Sequence, residues 1–293
     1  MAKIAYIEKR FNKTSMKTIE DANSIITAYK KEGDSLTLRQ LYYQFVSRDL
    51  IANQLNEYKR LSSLLSDARL AGLIDWNAIE DRTRSLMSYS FPALGSASGI
   101  LESAASGHEL DHWNDQDNYV EVWIEKDALV GVIERVCHQW RVPYFACRGY
   151  NSQSEQHKAG QRIARRAAEG KEVHILHLGD HDPSGIHMTV DNSERLTMFS
   201  GSSVKLHRLA LNMDQVKKFK PPPNPAKETD SRFNGYAKKF GKKCWELDAL
   251  EPKVIREITE KSIKKLIDHD VWKETDEREE AEKEEMYAIA RSI

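Results

Sequence analysis

An apolar run, Val173-His174-Ile175-Leu176-His177-Leu178, leads into Gly179 and then Asp180-His181-Asp182-Pro183-Ser184-Gly185. No other junction in the chain constrains the fold as much. The run has strand length. Gly179 lets the backbone bend, and Pro183 and Gly185 stop the strand from continuing. A second apolar run, Tyr119-Val120-Glu121-Val122-Trp123-Ile124, ends at Glu125-Lys126-Asp127. Between the two lie an amphipathic segment (128–140), a short strand candidate (144–147), the turn Arg148-Gly149-Tyr150-Asn151 and a second helical segment (153–169). That order, β-α-β-α-β, predicts an α/β fold with a mainly parallel, Rossmann-like sheet and right-handed crossovers. Ligands of such sheets bind beyond the carboxyl ends of the strands. Glu125, Arg148, Asp180 and Asp182 all fall at that edge.

Two aspartates two positions apart on a turn direct their oxygens into one small volume. Like charges there repel and raise each other's pKa. A hard divalent cation such as Mg²⁺, or Mn²⁺ in its place, relieves the conflict through one or two carboxylates and waters. Taken alone, Asp-x-Asp-Pro-x-Gly also describes a solvated acidic turn. Glu125 at the end of a neighbouring strand favours the metal site of Glu125, Asp180 and Asp182. Asp127 and His181 are expected outside the ligand set.

The 293 residues suit two domains, and 40% hydrophobic with 30% charged residues describes an ordinary soluble protein. No apolar run approaches membrane-spanning length, and the first ten residues lack a signal-peptide core, so a cytoplasmic protein is expected. Cys137, Cys147 and Cys244 have no paired spacing, which points to reduced, buried thiols and away from zinc. The net charge of −1 does not advertise nucleic-acid binding, and its distribution says more. Residues 217–243 hold nine basic side chains against Glu228 and Asp230, interleaved with Phe219, Phe233, Tyr236 and Phe240. Such a stretch, with Lys238 and Lys239 at its centre, either follows a phosphate backbone or is a solvated face. Residues 273–285 reverse the balance and read as a solvated acidic helix.

In the N-terminal third, Ser35 or Thr37 can cap a helix whose apolar face is Leu38, Leu41, Tyr42 and Phe45. A second helix runs through Leu61, Leu64, Leu65, Ala68 and Leu70 to Gly72, and a strand is expected at Leu73-Ile74-Asp75-Trp76. Helix, turn, helix and strand is the plan of a winged helix. Arg60, Ser62, Ser63, Asp67 and Arg69 are candidates for the DNA-facing side of the second helix. Arg82, Arg84 and the serine-rich run from Ser85 to Ser106 suit a wing and a linker. The expected division is a helical, winged-helix domain over 1–92, a linker over 93–115 and the sheet domain with a helical extension over 116–293. Tyr42 and Tyr43 are about 100° apart on a helix, so one is expected to pack and the other to be free.

A strand-terminal Glu followed by a strand-terminal Asp-x-Asp resembles the Toprim domain of topoisomerases, primases and related nucleases. Asp-His-Asp-Pro-Ser-Gly with Arg148-Gly149-Tyr150 resembles one branch of it, the topoisomerase VI A subunit and the meiotic double-strand-break transesterase. Leu209-Ala210-Leu211-Asn212-Met213 and Trp245-Glu246-Leu247-Asp248-Ala249-Leu250 are similar to segments that close the Toprim region of that family. Arg39-Gln40-Leu41-Tyr42-Tyr43 resembles its Arg-x-x-aromatic-Tyr motif. The resemblance implies that Tyr43 is the nucleophile, that Arg39 stabilises phosphate charge, and that Glu125, Asp180 and Asp182 hold Mg²⁺. It further implies double-stranded DNA as substrate and a homodimer in which the other protomer supplies the metal. Strand passage would need a separate ATPase, because no Walker A motif is present. A tyrosine of pKa about 10 needs a nearby cation or base to attack phosphorus. Two other outcomes fit the same residues: a Toprim nuclease that activates water, and a catalytically silent DNA-binding factor.

Overall fold

The computed structural model describes residues 3–31, 33, 36–79 and 96–293. The chain is an α/β protein whose centre is a four-stranded parallel sheet of order β2-β1-β3-β4. Among the described residues the chain opens with α1 (Lys13–Lys31), α2 (Leu38–Ser47) and α3 (Leu55–Leu70). Ile19, Ala22, Ile25 and Ile26 of α1 meet Leu41 and Phe45 of α2 and Leu61, Leu65 and Ala68 of α3 in one apolar cluster. Thr37 caps α2 in a capping box with Gln40, which satisfies two orphan donors at once.

The strand expected at Leu73–Trp76 does not form. Gly72 takes a left-handed φ of +71°, and an added Cβ there would sit 2.9 Å from the Ala5 nitrogen. Asp75 then accepts from the Asn77 nitrogen and caps a single 3₁₀ turn at Trp76–Ala78. Among the described residues, pairing on either side of it is limited to the single bridges Ala5–Ala71 and Leu36–Ile79. Residues 80–95, with Arg82 and Arg84, lie outside the described residues. The serine-rich run beyond them is not an extended connection where it is described: Ser96 caps α4 (Ala97–Ser106), which packs on the last helix.

The sheet follows. β1 (Asn118–Ile124) leads through a 3₁₀ turn to α5 (Val130–Gln139) and β2 (Tyr144–Ala146), and α6 (Gln153–Ala168) carries the chain back to β3 (Glu172–Leu178). α7 (Pro183–Ser200) leads to β4 (Lys205–Ala210). Both central strands are covered on both faces, as continuous apolar runs in parallel sheets are. Val120, Val122 and Ile124 point to a cluster with Ile133 and Val136 of α5, while Tyr119 and Trp123 point to Ile163 of α6 and Leu196 of α7. β1 lies between β2 and β3, so the crossovers leave in opposite directions at the β1–β3 pair. That is the switch point where a crevice opens beyond the strand ends.

Beyond the sheet come α8 (Met213–Phe219), a two-stranded pair of β5 (Asn224–Pro225) and β6 (Lys243–Cys244), and α9 (Phe233–Phe240) between them. A 3₁₀ turn at Leu247–Ala249 precedes α10 (Pro252–Lys264) and α11 (His269–Ser292). α10 packs on α5 and completes one face of the sheet. Ala249 joins the apolar cluster of α1 to α3, so this turn is where the N-terminal helices meet the sheet edge. Among the described residues, no helix is long and apolar enough to cross a membrane.

Candidate functional site

β1 and β3 end side by side, with Ile124 opposite Leu178. Glu125 follows the first and Gly179-Asp180 the second. The Asp180 nitrogen donates to Glu125 Oε2 at 2.9 Å, which ties the two strand ends together. Gly179 is favoured by space: a Cβ there would lie 2.8 Å from Glu125 Oε2, so that carboxylate would have to move. At Gly185 a Cβ would lie 2.3 Å from the Asp180 carbonyl oxygen. Asp182 caps α7, its Oδ1 accepting from the Gly185 nitrogen at 2.6 Å, with Pro183 at the first helical position.

Arg208 on β4 holds the turn from below. It donates to the carbonyl oxygens of Gly179, Asp180 and Gly185 at 3.0, 2.5 and 3.0 Å. Burial lowers its pKa to about 10. Nothing in the sequence marked this residue, because its partners are carbonyl groups. His181 turns away from the crevice. It is buried, its Nδ1 lies 2.8 Å from the Tyr236 hydroxyl, and its backbone pairs with Trp245.

The crevice is a cavity of about 1000 Å³. Glu125, Asp180, Asp182, Asp127 and Arg148 line it from the sheet edge, and Arg39 and Tyr43 from α2. The tyrosine motif and the carboxylates, far apart in sequence, therefore face one space within a single chain. Arg148 has a left-handed φ of 54°, and its guanidinium lies 3.1 Å from Asp127. The other expected DNA contacts stand elsewhere. Lys238 and Lys239 are exposed on α9, and Arg60 is exposed on α3 beside Glu57. Arg69 is half-buried, stacks on the Trp76 ring and donates to its carbonyl oxygen at 2.8 Å.

The expectation that only one of the two tyrosines packs is not met. Tyr42 is 5% and Tyr43 3% exposed. The Tyr42 hydroxyl donates to Asn53 Oδ1 at 3.0 Å, and Asn53 in turn donates to Asn224 Oδ1 at 2.9 Å. Asn224 donates to the Tyr43 hydroxyl at 3.4 Å and to Glu246 Oε1 at 3.2 Å. Burial, with Glu246 and Asp248 nearby, raises the pKa of Tyr43, and Arg39 only partly opposes this.

The residues that sequence reasoning missed are Lys126, Glu246 and Asp248. Lys126 Nζ lies 3.2 Å from Asp180 Oδ2, 2.8 Å from Glu246 Oε2 and 2.9 Å from Asp248 Oδ1. Arg39 reaches the same two acids, with Nη2 2.5 Å from Glu246 Oε2 and Nε 3.3 Å from Asp248 Oδ2. Burial opposes the charge on Glu246, but Lys126 and Arg39 outweigh it and lower its pKa to about 2. At the sheet edge the balance is reversed. Burial, then the Asp180 carboxylate, raises Glu125 to about 7, and burial raises Asp180 to about 6 against the pull of Lys126.

The hard carboxylate oxygens of Glu125, Asp180 and Asp182 suit a divalent cation in donor chemistry. The fit is of an open site and not of a closed cage. Among the described residues no three His, Cys, Asp or Glu side chains form a group that could hold a metal ion. Asp180 is already engaged by Lys126 and by the Leu247 nitrogen at 2.7 Å. Compared with protein-family models, curated proteins and solved structures, the chain matches none.

Proposed function

We propose that the chain cleaves double-stranded DNA in a divalent-cation-dependent reaction, with Tyr43 as nucleophile, in the manner of the topoisomerase VI A subunit. The observation that carries this reading is the single cavity shared by Tyr43, Arg39, Glu125, Asp180 and Asp182. In it the helices α1 to α3 act as a winged-helix-like DNA-binding unit and the parallel sheet as a Toprim domain. The cavity lining has more carboxylates than cations, so a bare phosphodiester would be repelled. Glu125, Asp180 and Asp182 would hold Mg²⁺ or Mn²⁺, which supplies charge neutralisation at the scissile phosphate.

The chain's own residues account for the rest. Arg39 sits within reach of the Tyr43 ring, 5.8 Å from its centroid, and would stabilise phosphate charge there. The Tyr43 oxygen forms a bond to phosphorus as the P–O3′ bond breaks. The electron pair leaves with O3′, which takes up a proton and becomes a free hydroxyl. The tyrosine proton is released to solvent in the crevice, because Glu246, its pKa lowered to about 2 by Lys126 and Arg39, is too weak a base to hold it. The product is a 5′-phosphotyrosyl link, and strand passage would call on a separate ATPase.

A second reading has its own support. Tyr43 is buried and its pKa is raised, which disfavours the phenolate and leaves room for a nuclease that activates water. Incubation with supercoiled plasmid and Mg²⁺ or Mn²⁺, with and without proteinase treatment, separates the two. Nicked or linear DNA that carries protein until proteinase is added supports the transesterase. Protein-free products select the nuclease, and intact plasmid under both metals rejects both.

A further inference from the structure

We infer that Arg208 is a positioning residue for the cation at the sheet edge, acting by fixing the shape of the turn that carries Asp180 and Asp182. The inference rests on the cation reading above and holds whichever protomer supplies the tyrosine. Arg208 Nη2 donates to the carbonyl oxygens of Gly179 and Asp180 at 3.0 and 2.5 Å and lies 3.3 Å from that of Leu211. Its Nη1 donates to the Gly185 carbonyl oxygen at 3.0 Å and to Thr189 Oγ1 at 2.6 Å. One planar group therefore bridges both ends of the turn, from the end of β3 to the start of α7. Arg208 is itself held in β4 opposite His177, and the strand register slips just beyond that pair, so that Leu178 faces Ala210. Irregular register of this kind re-aims a side chain next to a site.

The turn's own hydrogen bonds leave oxygens for a ligand. Glu125 Oε2 accepts from the Asp180 nitrogen and Asp182 Oδ1 from the Gly185 nitrogen, while Glu125 Oε1 and Asp182 Oδ2 have no hydrogen-bond partner among the described residues. Stability alone does not account for the arginine. All five of its contacts go to neutral oxygens, and its Nε is buried with no hydrogen-bond partner among the described residues. A guanidinium in such surroundings is a costly way to hold a loop. Its charge does not favour a cation either, because Glu125, Asp180 and Asp182 lie close enough to feel it. What it gives the site is geometry, as the outer partners of metal ligands do.

Calorimetric titration of the full-length chain with Mn²⁺ alone, well below its melting temperature, tests the inference. Arg208→Lys keeps the charge, but a single ammonium cannot span the oxygens that a planar guanidinium does. Its Mn²⁺ affinity should fall about 10- to 100-fold, the range for loss of an outer partner. A loss of stability alone would leave the affinity of the folded chain unchanged. Arg208→Gln removes the charge as well and should also bind more weakly. Unchanged affinity in Arg208→Lys, or tighter binding in Arg208→Gln, would make the residue a counter-charge and overturn positioning. Should both variants fail to fold, Thr189→Val decides, since it keeps Arg208 and removes only the hydroxyl on which Nη1 rests. About a tenfold loss is expected there, the low end of the same range, and wild-type affinity overturns the inference. A wild-type chain that binds no Mn²⁺ removes the cation reading and the inference with it. Wild-type binding that Arg208→Lys leaves intact removes the inference alone.

Discussion

Single side chains at the strand ends have two duties, and substitutions must be chosen to separate them. Asp182 is both a proposed cation ligand and the cap of α7. Asp182→Ala should therefore cost about 1 kcal/mol of stability through the lost cap, whereas Asp182→Asn keeps a capping oxygen and loses only the charge. Both should lose divalent-ion binding by calorimetry, and only the alanine variant should melt earlier. Unchanged Mg²⁺ affinity in the asparagine variant would put the cation elsewhere. Tyr43→Phe is not silent for stability, contrary to what a free hydroxyl would give. The ring is buried and the hydroxyl accepts from Asn224, so a loss on the order of 1 kcal/mol is expected. Covalent adducts should vanish while DNA binding persists. Adducts that survive would reject Tyr43 as nucleophile.

Between elements, close approach decides what the sequence permits. α6 crosses α7 at Gly160, where an added Cβ would sit 2.4 Å from the Cβ of Phe199. Gly160→Ala should push the helices apart and cost about 1–3 kcal/mol, the range for an overpacked contact. Gly235 in α9 offers the contrast, because a Cβ there meets nothing within 4 Å. Gly235→Ala should be neutral or stabilising by up to about 1 kcal/mol through helix propensity. Denaturant midpoints of the two variants check the pair, and an unaffected Gly160→Ala would mean the helices do not meet there. Elements of this kind were legible where their pattern is local. Apolar runs of strand length, with Pro183 and Gly185 to stop the second, were enough to place β1 and β3. The acidic stretch near the C-terminus was read as a helix, and α11 is one, but not all of its acids are solvated. Glu279 is 5% exposed and accepts from Arg141 at 2.6 Å and from the Leu110 nitrogen at 2.8 Å. Those partners lie 138 and 169 residues away, a distance over which no periodicity speaks. The missing strand after Gly72 has the opposite cause, since a local turn led by Asp75 overrides an apolar run.

Across the whole molecule, the sheet edge and the tyrosine motif could be found from sequence, but the network that joins them could not. Lys126, Glu246 and Asp248 look like ordinary surface charges until the fold brings them together, the last buried and the other two half-buried. Burial of charge also sets how the metal-free protein responds to pH. His177 is held down to about 3 and His181 to about 4, in both cases by burial and then by Arg208. An unfolded chain takes up those protons near pH 6.5, and the folded one does not. Their contribution to stability is therefore complete above about pH 6.5 and is lost as pH falls toward 4 and 3. Glu125 and Asp180 act in the other direction. Their folded values of about 7 and 6 lie above those of the unfolded chain. The stability they contribute is complete below about pH 4 and is lost as pH rises through 6 and 7. Melting temperatures without divalent cation, taken from pH 4 to 8 for wild type, Glu125→Gln and His177→Gln, separate the two groups. Glu125→Gln should gain on wild type as pH rises from about 5 to 8, because the variant has no proton to lose there. His177→Gln should gain on wild type as pH falls from about 7 to 4, because it has no proton to refuse. Mg²⁺ at pH 8 should raise the melting temperature of wild type more than that of Glu125→Gln, since the cation favours the ionised carboxylate. A gap between wild type and Glu125→Gln that stays constant across this range would show that Glu125 is not the titrating group, and the electrostatic case for a cation at the strand ends would go with it.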